Sequence, residues 1–351
     1  MNIFIVPIEP IDLRYTKQWY DNIPKLIKNA AKGMGLNVGV LSIDGNSNSG
    51  DTSNGAFLNF AETNKWKAEQ IVKITELFMD GAINNGDRFL ITDAWNFLIT
   101  PIKYMSELLD IPVEIHGIWH AGHYDPSDIL GMKMSNEWPG HIEKSWYYSC
   151  DYNYFGTNYH KNMFLNNLQI PESDHNRAVR SGQPHDYIVP ILEPYGNLDK
   201  RKQIIWPHRY NQDKQPEIAE DLSNTFTTII TQKRPLSKME YYNELGSSQI
   251  IFSCSLHENL GISVMEGVIS GVIPVLPDRC SYSEMYNPVF LYPSEWTESF
   301  ESYMDHRDEL CNFINERLEN SEKYQTELVD QKNRLIEEYL SSSIMINNLI
   351  R

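Results

Sequence analysis

Cysteine is scarce. Cys150, Cys254, Cys280 and Cys311 are the four in 351 residues, and no two form a C-x-x-C pair. That usage suits free thiols in a reducing cytoplasm and argues against a zinc site. Long apolar runs are missing as well, so no membrane span is expected. The first residues, Met1 to Ile8, lack a basic flank and read as a strand, not a signal peptide. Basic residues are in deficit, 30 Lys and Arg against 47 Asp and Glu, a formal charge of −17. Nonspecific attraction to nucleic acid is thereby disfavoured, although net charge does not describe one site. Residues 293–340 hold 13 acids and 5 bases, so much of the excess sits in one C-terminal segment. Asp-x-Asp is absent too, and neither a catalytic metal nor a resident cofactor is expected.

What is present is an alternation of short apolar runs and helical patterns. Strands are expected over 3–8, 38–43, 88–92, 113–118 and 152–155, with helices over 19–34, 65–81, 101–109 and from 158 to about 168 between and after them. Gly33, Gly35 and Gly39 have the wrong spacing for a dinucleotide fingerprint and follow a helix, so they read as a helix-to-strand turn. The Asn-, Ser- and Gly-rich stretch 45–55 reads as a loop. A polar, Pro-bearing stretch follows, and then a second series with strands over 203–206, 226–231, 250–253, 272–276 and 287–291. The expected organisation is a first domain over 1–170, a linker over 171–202, a second domain over 203–330 and a C-terminal helix over 331–351 returning to the first. The fold class is α/β, two Rossmann-like, doubly wound domains facing a cleft.

Residues 249–287 organise the second half. A buried strand breaks into the turn Ser255–Asn259, and a helix starts at about Leu260. A helix N-terminus at the carboxyl end of a parallel sheet suits an anion, and Gly261 lets a ligand approach the backbone. Glu258 and Glu266 flank that end. Carboxylates would repel phosphate, so hydroxyls are their natural partners. A phosphate flanked by hydroxyl-binding acids describes a nucleotide sugar. Arg209 and Lys214, at the end of the first strand of this half, supply two cations for a diphosphate.

Arg-x4-Lys at 209–214 together with Glu258-x7-Glu266 resembles the donor site of retaining GT-B glycosyltransferases of the glycogen-synthase-like, family-4 type. Trp206-Pro-His-Arg-Tyr-Asn-Gln-Asp-Lys214, His257-Glu-Asn-Leu-Gly-Ile-Ser-Val264 and Pro274…Pro277…Tyr282-Ser-Glu284 are similar to the tRNA-queuosine mannosyltransferases. The family's His-Glu-Asn stands here as His120-Ala121-Gly122. Other members of the broad class modify hydroxymethylated bases in viral DNA, and the Asn-, Lys- and Tyr-rich wording has a phage flavour.

The resemblance implies that Arg209 and Lys214 hold the donor diphosphate of a UDP- or GDP-sugar and that Glu258 meets sugar hydroxyls. It places Glu266 at the ribose and the backbone of Asn259, Leu260, Gly261 and Ile262 at the phosphates. His120 would lie near the transferred sugar. Asp93, ending its strand at the same rim, is a candidate acceptor-side carboxylate or else a cap for the next helix. Arg14, Tyr15, Lys17, Trp19, Trp95, Trp119 and Tyr124 could receive an unpaired base, and several suit a core equally well. Arg177, Arg180, Lys200, Arg201 and Lys202 could track phosphates or simply be solvated. His116, His120 and His123 could be read as a metal cluster, without a Cys or paired carboxylate to complete it.

The expected activity is sugar transfer to a hydroxyl of a modified nucleobase, 5-hydroxymethylcytosine in phage DNA first and tRNA queuosine second, in the cytoplasm and without a membrane. A small-molecule or glycan acceptor, a sugar-nucleotide epimerase and a noncatalytic binding module remain as alternatives.

Overall fold

A computed structural model of the chain describes every residue except Leu13, 47–58 and Ser135. It divides into two compact units, Met1–Pro184 with Ser341–Arg351, and His185–Leu340. The expected loop at 45–55 falls almost wholly outside the described residues.

The first unit is built on a six-stranded parallel sheet ordered β2-β1-β3-β4-β5-β6. Its strands are β1 (Asn2–Val6), β2 (Gly39–Ser42), β3 (Arg88–Ile91), β4 (Glu114–Ile118), β5 (Tyr152–Phe155) and β6 (Ala178–Arg180). Strands β1 and β3 are apolar and buried nearly throughout, as a sheet covered on both faces requires. The chain runs from β1 outward to β2, then returns across β1 to β3, so the order reverses at β1. At such a reversal the loops leaving neighbouring strands part and open a crevice at their carboxyl ends.

Strand β6 lies inside the stretch expected to be linker. It is a three-residue edge strand, half-buried at every position, and therefore carries no hydrophobic alternation. The helices Ile129–Lys133 and Trp138–Ser149 are likewise absent from the sequence-based expectation.

The second unit has a five-stranded parallel sheet ordered β11-β10-β9-β7-β8. Its strands are β7 (Arg201–Trp206), β8 (Thr228–Ile230), β9 (Ser248–Phe252), β10 (Ile273–Pro277) and β11 (Leu291–Tyr292). Here the order reverses at β7. The last strand is shorter than the expected 287–291, because the Asn287 side chain accepts from Val289 N–H and starts a 3-10 turn over Pro288–Phe290. The helix Ser343–Ile350 is grouped with the first unit, where Arg88 Nη1 donates to the Asn348 carbonyl at 3.1 Å. Among the described residues no helix is long and apolar enough to cross a membrane.

Candidate functional site

In the second unit the loops leaving β7 and β9 sit on either side of the reversal. Lys214, buried at the end of the first loop, donates to the His257 carbonyl at 2.5 Å and to Glu258 Oε2 at 3.3 Å, and lies 3.1 Å from Asp213. Burial alone would lower its pKa. The Glu258 and Asp213 carboxylates outweigh that and hold it raised. Burial works against the Glu258 anion too, and the Lys214 cation overrides it, so Glu258 stays ionised.

Glu258 Oε1 accepts the Gly261 N–H at 3.0 Å. Gly261 is left-handed (φ 77°) and caps the helix Ile262–Ile269, whose N-terminus has no side-chain cap. A Cβ at Gly261 would stand 3.0 Å from the Tyr282 ring, so other residues are disfavoured there twice over. The first helical N–H groups are thereby presented beside a buried lysine and a fixed carboxylate.

Arg209 stands exposed on the same loop as Lys214, and its guanidinium makes no ion pair or hydrogen bond among the described residues. Glu266 is more encumbered than expected. Lys238 approaches its Oε1 at 3.2 Å, Tyr242 donates to the same oxygen at 3.4 Å and Tyr241 to Oε2 at 2.9 Å. Accepting capacity remains on Oε2.

His208, inside the Trp206–Lys214 motif, has no role in the sequence-based expectation. It is buried, its Nε2 has no hydrogen-bond partner among the described residues, and burial with the nearby Lys214 cation pushes its pKa down to about 3. It is a neutral imidazole beside the cations.

The first unit holds a cavity of about 550 Å³ at the carboxyl ends of β1, β3 and β4. Asp93 and His120 both line it. Asp93 is buried against Lys67 (3.2 Å) and accepts the Trp95 N–H at 3.3 Å. It does not cap the following helix, Ile99–Leu108, which has no side-chain cap; Asn96 accepts the Leu98 N–H just before it. His120 donates from Nε2 to the Thr92 carbonyl at 2.8 Å and packs on the Trp19 and Tyr15 rings at 4.9 and 5.6 Å. Burial pushes its pKa below the ordinary histidine range.

Lys67, Phe60, Phe97, Trp138 and Trp146 also line the cavity. Sequence reasoning does not find them. Lys67 sits at a helical position with nothing to mark it, and Trp138 and Trp146 lie on a helix without a clear periodic signal.

Other expected contacts dissolve into structure. Trp119 is buried, donates to Asn153 and stacks on Phe155, and Tyr124 bonds His160, so both are core. Lys17 pairs with Asp21. His116 is stacked on Tyr152 and bonded to Tyr154, and the described residues contain no group of three or more His, Cys, Asp or Glu able to hold a metal. Most of the linker cations are committed within the protein: Arg177 to the Cys150 carbonyl, Lys200 to the Gly246 and Ser270 carbonyls, Arg201 to Glu244 and Lys202 to Glu319.

No protein-family model matches the chain. A curated relative, the tRNA-queuosine alpha-mannosyltransferase of Drosophila melanogaster, is 23% identical over an alignment of 124 residues. That match takes in 27% of this chain and only a third (33%) of the relative's length. Among solved structures, sucrose-phosphate synthase from Thermosynechococcus elongatus superposes with a TM-score of 0.64 at 11% identity, covering 99% of this chain and 97% of that one. The UDP-forming alpha,alpha-trehalose-phosphate synthase from Burkholderia vietnamiensis gives 0.60 at 12% identity, with 99% of each chain covered. Anabaena HepE in complex with UDP-glucose gives 0.57 at 12%, covering 100% and 98%. With two parallel-sheet units of this topology and these neighbours, the fold is that of the GT-B glycosyltransferases.

Proposed function

We propose that the protein is a retaining glycosyltransferase that moves a sugar from a nucleotide-sugar donor to a hydroxyl of a modified nucleobase. The observation that carries the donor half is the Lys214–Glu258–Gly261 arrangement at the reversal of the second sheet, with Arg209 uncommitted beside it among the described residues. Arg209 and the N–H groups at Ile262 and Ser263 would bond the diphosphate, and Lys214, held on the His257 carbonyl, Glu258 and Asp213, would add its charge from alongside. Glu258, ionised and held in place, would accept from sugar hydroxyls, and the free capacity of Glu266 would take the ribose.

In the transfer, the bond from the anomeric carbon to the phosphate oxygen breaks and one to the acceptor oxygen forms. The acceptor's proton passes to the departing diphosphate. The transition state resembles an oxocarbenium ion, so fixed positive charge at the leaving oxygen lowers the barrier directly. The donors named in the HepE and trehalose-phosphate synthase structures support UDP as the nucleotide. For the acceptor we favour 5-hydroxymethylcytosine in DNA, and the curated relative favours queuosine as the second reading.

The test is mass spectrometry of nucleosides after incubation with UDP- or GDP-sugars and either hydroxymethylated DNA or queuosine-containing tRNA. Transfer should add one sugar mass to a modified base and should vanish in the Arg209→Ala, Glu258→Ala double variant. Survival of transfer in that variant would reject the donor assignment. No added mass on either nucleic acid, beside transfer to a small acceptor, would reject the nucleobase.

A further inference from the structure

The cavity of the first unit has a chemistry of its own. Among the described residues six Phe, Tyr and Trp side chains line it: Tyr15, Phe60, Trp95, Phe97, Trp138 and Trp146. Its charged lining residues among those described are two of each sign, Lys67 and Lys133 against Asp93 and Asp128. Lys67 uses two of its three donors, with its Nζ on Asp93 Oδ2 at 3.2 Å and on the Trp95 carbonyl at 2.7 Å, and its charge is paired with Asp93. Among the described residues the buried lysine of the lining is thus neutralised by Asp93, and a phosphate would stand beside that carboxylate with only the exposed Lys133 to offset it.

The walls are set in advance of any ligand. Trp95 donates from Nε1 to Glu143 at 2.9 Å and packs edge-on against Trp146 at 5.3 Å, so its orientation is fixed. Trp138 and Phe60 remain 49% and 40% exposed at the same cavity, large apolar rings that burial by a ligand would stabilise.

We infer that this cavity seats the acceptor as a single planar, uncharged ring system, gripped by its aromatic walls and not by its phosphates. The accepting hydroxyl would lie at the polar floor made by Asp93 and Thr63. This rests on the proposed activity for the word acceptor, but the chemistry of the occupant follows from the cavity alone. It also means that a free nucleoside should serve without the polynucleotide around it. The volume of about 550 Å³ falls among ordinary small-molecule sites.

Calorimetric titration separates the possibilities with three probes. These are 5-hydroxymethylcytidine, 2-naphthylmethanol as a flat alcohol that is no nucleobase, and a single-stranded oligonucleotide carrying 5-hydroxymethylcytosine, each at low and at high salt. Both small molecules should bind, with less than about a twofold change between salts, and Trp138→Ala should weaken them roughly tenfold, as loss of a stacking ring does. Phe60→Ala is the second variant and should act in the same direction.

Naphthylmethanol binding through Trp138 without nucleoside binding would uphold the cavity's chemistry while removing the nucleobase from the proposed function. Two results would overturn the inference: binding by the oligonucleotide alone with a steep salt dependence, about a thousandfold or more, or small-molecule binding untouched by both variants.

Discussion

Lys214 is held by three acceptors of the protein itself: the His257 carbonyl, Glu258 and Asp213. Arg209 is held by none among the described residues. The two cations of one motif should therefore answer mutation differently. Lys214→Ala strands the Glu258 carboxylate with the Gly261 N–H as its main partner and should destabilise the second unit by about 2 kcal/mol, tempered by the partial exposure of Glu258. Arg209→Ala should leave stability within about 0.5 kcal/mol, as an exposed change does. It should nevertheless weaken nucleotide-sugar binding at least tenfold, the order expected for a charge-assisted contact to phosphate. Urea denaturation and titration with UDP-glucose check the pair. Equal stability losses, or unchanged donor affinity in Arg209→Ala, would contradict the division of labour. Gly261→Ala should cost about 1–2 kcal/mol for the left-handed backbone, with the Tyr282 ring adding to it. Donor binding should fall with it, because Gly261 sets the helix tip.

At the level of elements, the helix Trp138–Ser149 and the loop after β7 carry titratable groups that pull stability in opposite directions. Glu143, on the helix Trp138–Ser149, accepts the His123 and Tyr124 N–H groups and Trp95 Nε1–H, so it fastens the loop after β4. Burial raises its pKa to about 7. Between roughly pH 4.5 and 7 the folded state then binds the extra proton, and stability falls as pH rises, by about 3 kcal/mol in all, since a tenfold difference in proton affinity between the folded and unfolded chain is worth ~1.4 kcal/mol. His208 does the reverse. Its folded pKa of about 3 means that the unfolded chain binds the proton first, so stability is lost as pH falls below about 6.5. Between about pH 4.5 and 6.5 the two slopes nearly cancel, so over that window denaturation midpoints should rise with pH in Glu143→Gln and fall with pH in His208→Asn. A wild-type slope retained in either variant would refute the assignment of that arm.

Neither residue is legible as a site member in the sequence. Glu143 lies on a helix whose apolar positions are interrupted by Pro139 and Gly140, and His208 looks like one more loop histidine until β7 buries it. The acids Glu258 and Glu266 are legible because their spacing straddles a helix start. Strand β6 is not, since an edge strand half in water has no pattern to read. The aromatic part of the cavity wall is legible only in Tyr15 and Trp95, which end strands or follow them. Phe60, Phe97, Trp138 and Trp146 converge through tertiary packing that no local spacing encodes.

At the scale of the whole molecule, the chain's last helix belongs to the unit in which the chain begins. Ser343–Ile350 buries Met345, Ile346, Leu349 and Ile350, and Arg88 of β3 donates to its Asn348 carbonyl. Burial of a Leu- or Ile-sized side chain contributes roughly 1.5–3 kcal/mol, so four of them approach the whole stability of an ordinary domain. Ending the chain after Leu340 should therefore loosen Met1–Pro184 while His185–Leu340, whose own core needs none of these residues, stays folded. Limited proteolysis reads this directly. In the truncated chain, cleavage should concentrate between residues 1 and 184, a fragment beginning near His185 should persist, and UDP-glucose should still protect that fragment. Even cleavage across both units would mean that the last helix supports the entire fold. Unaltered resistance of the first unit would mean that its sheet is stable without the helix that returns to it.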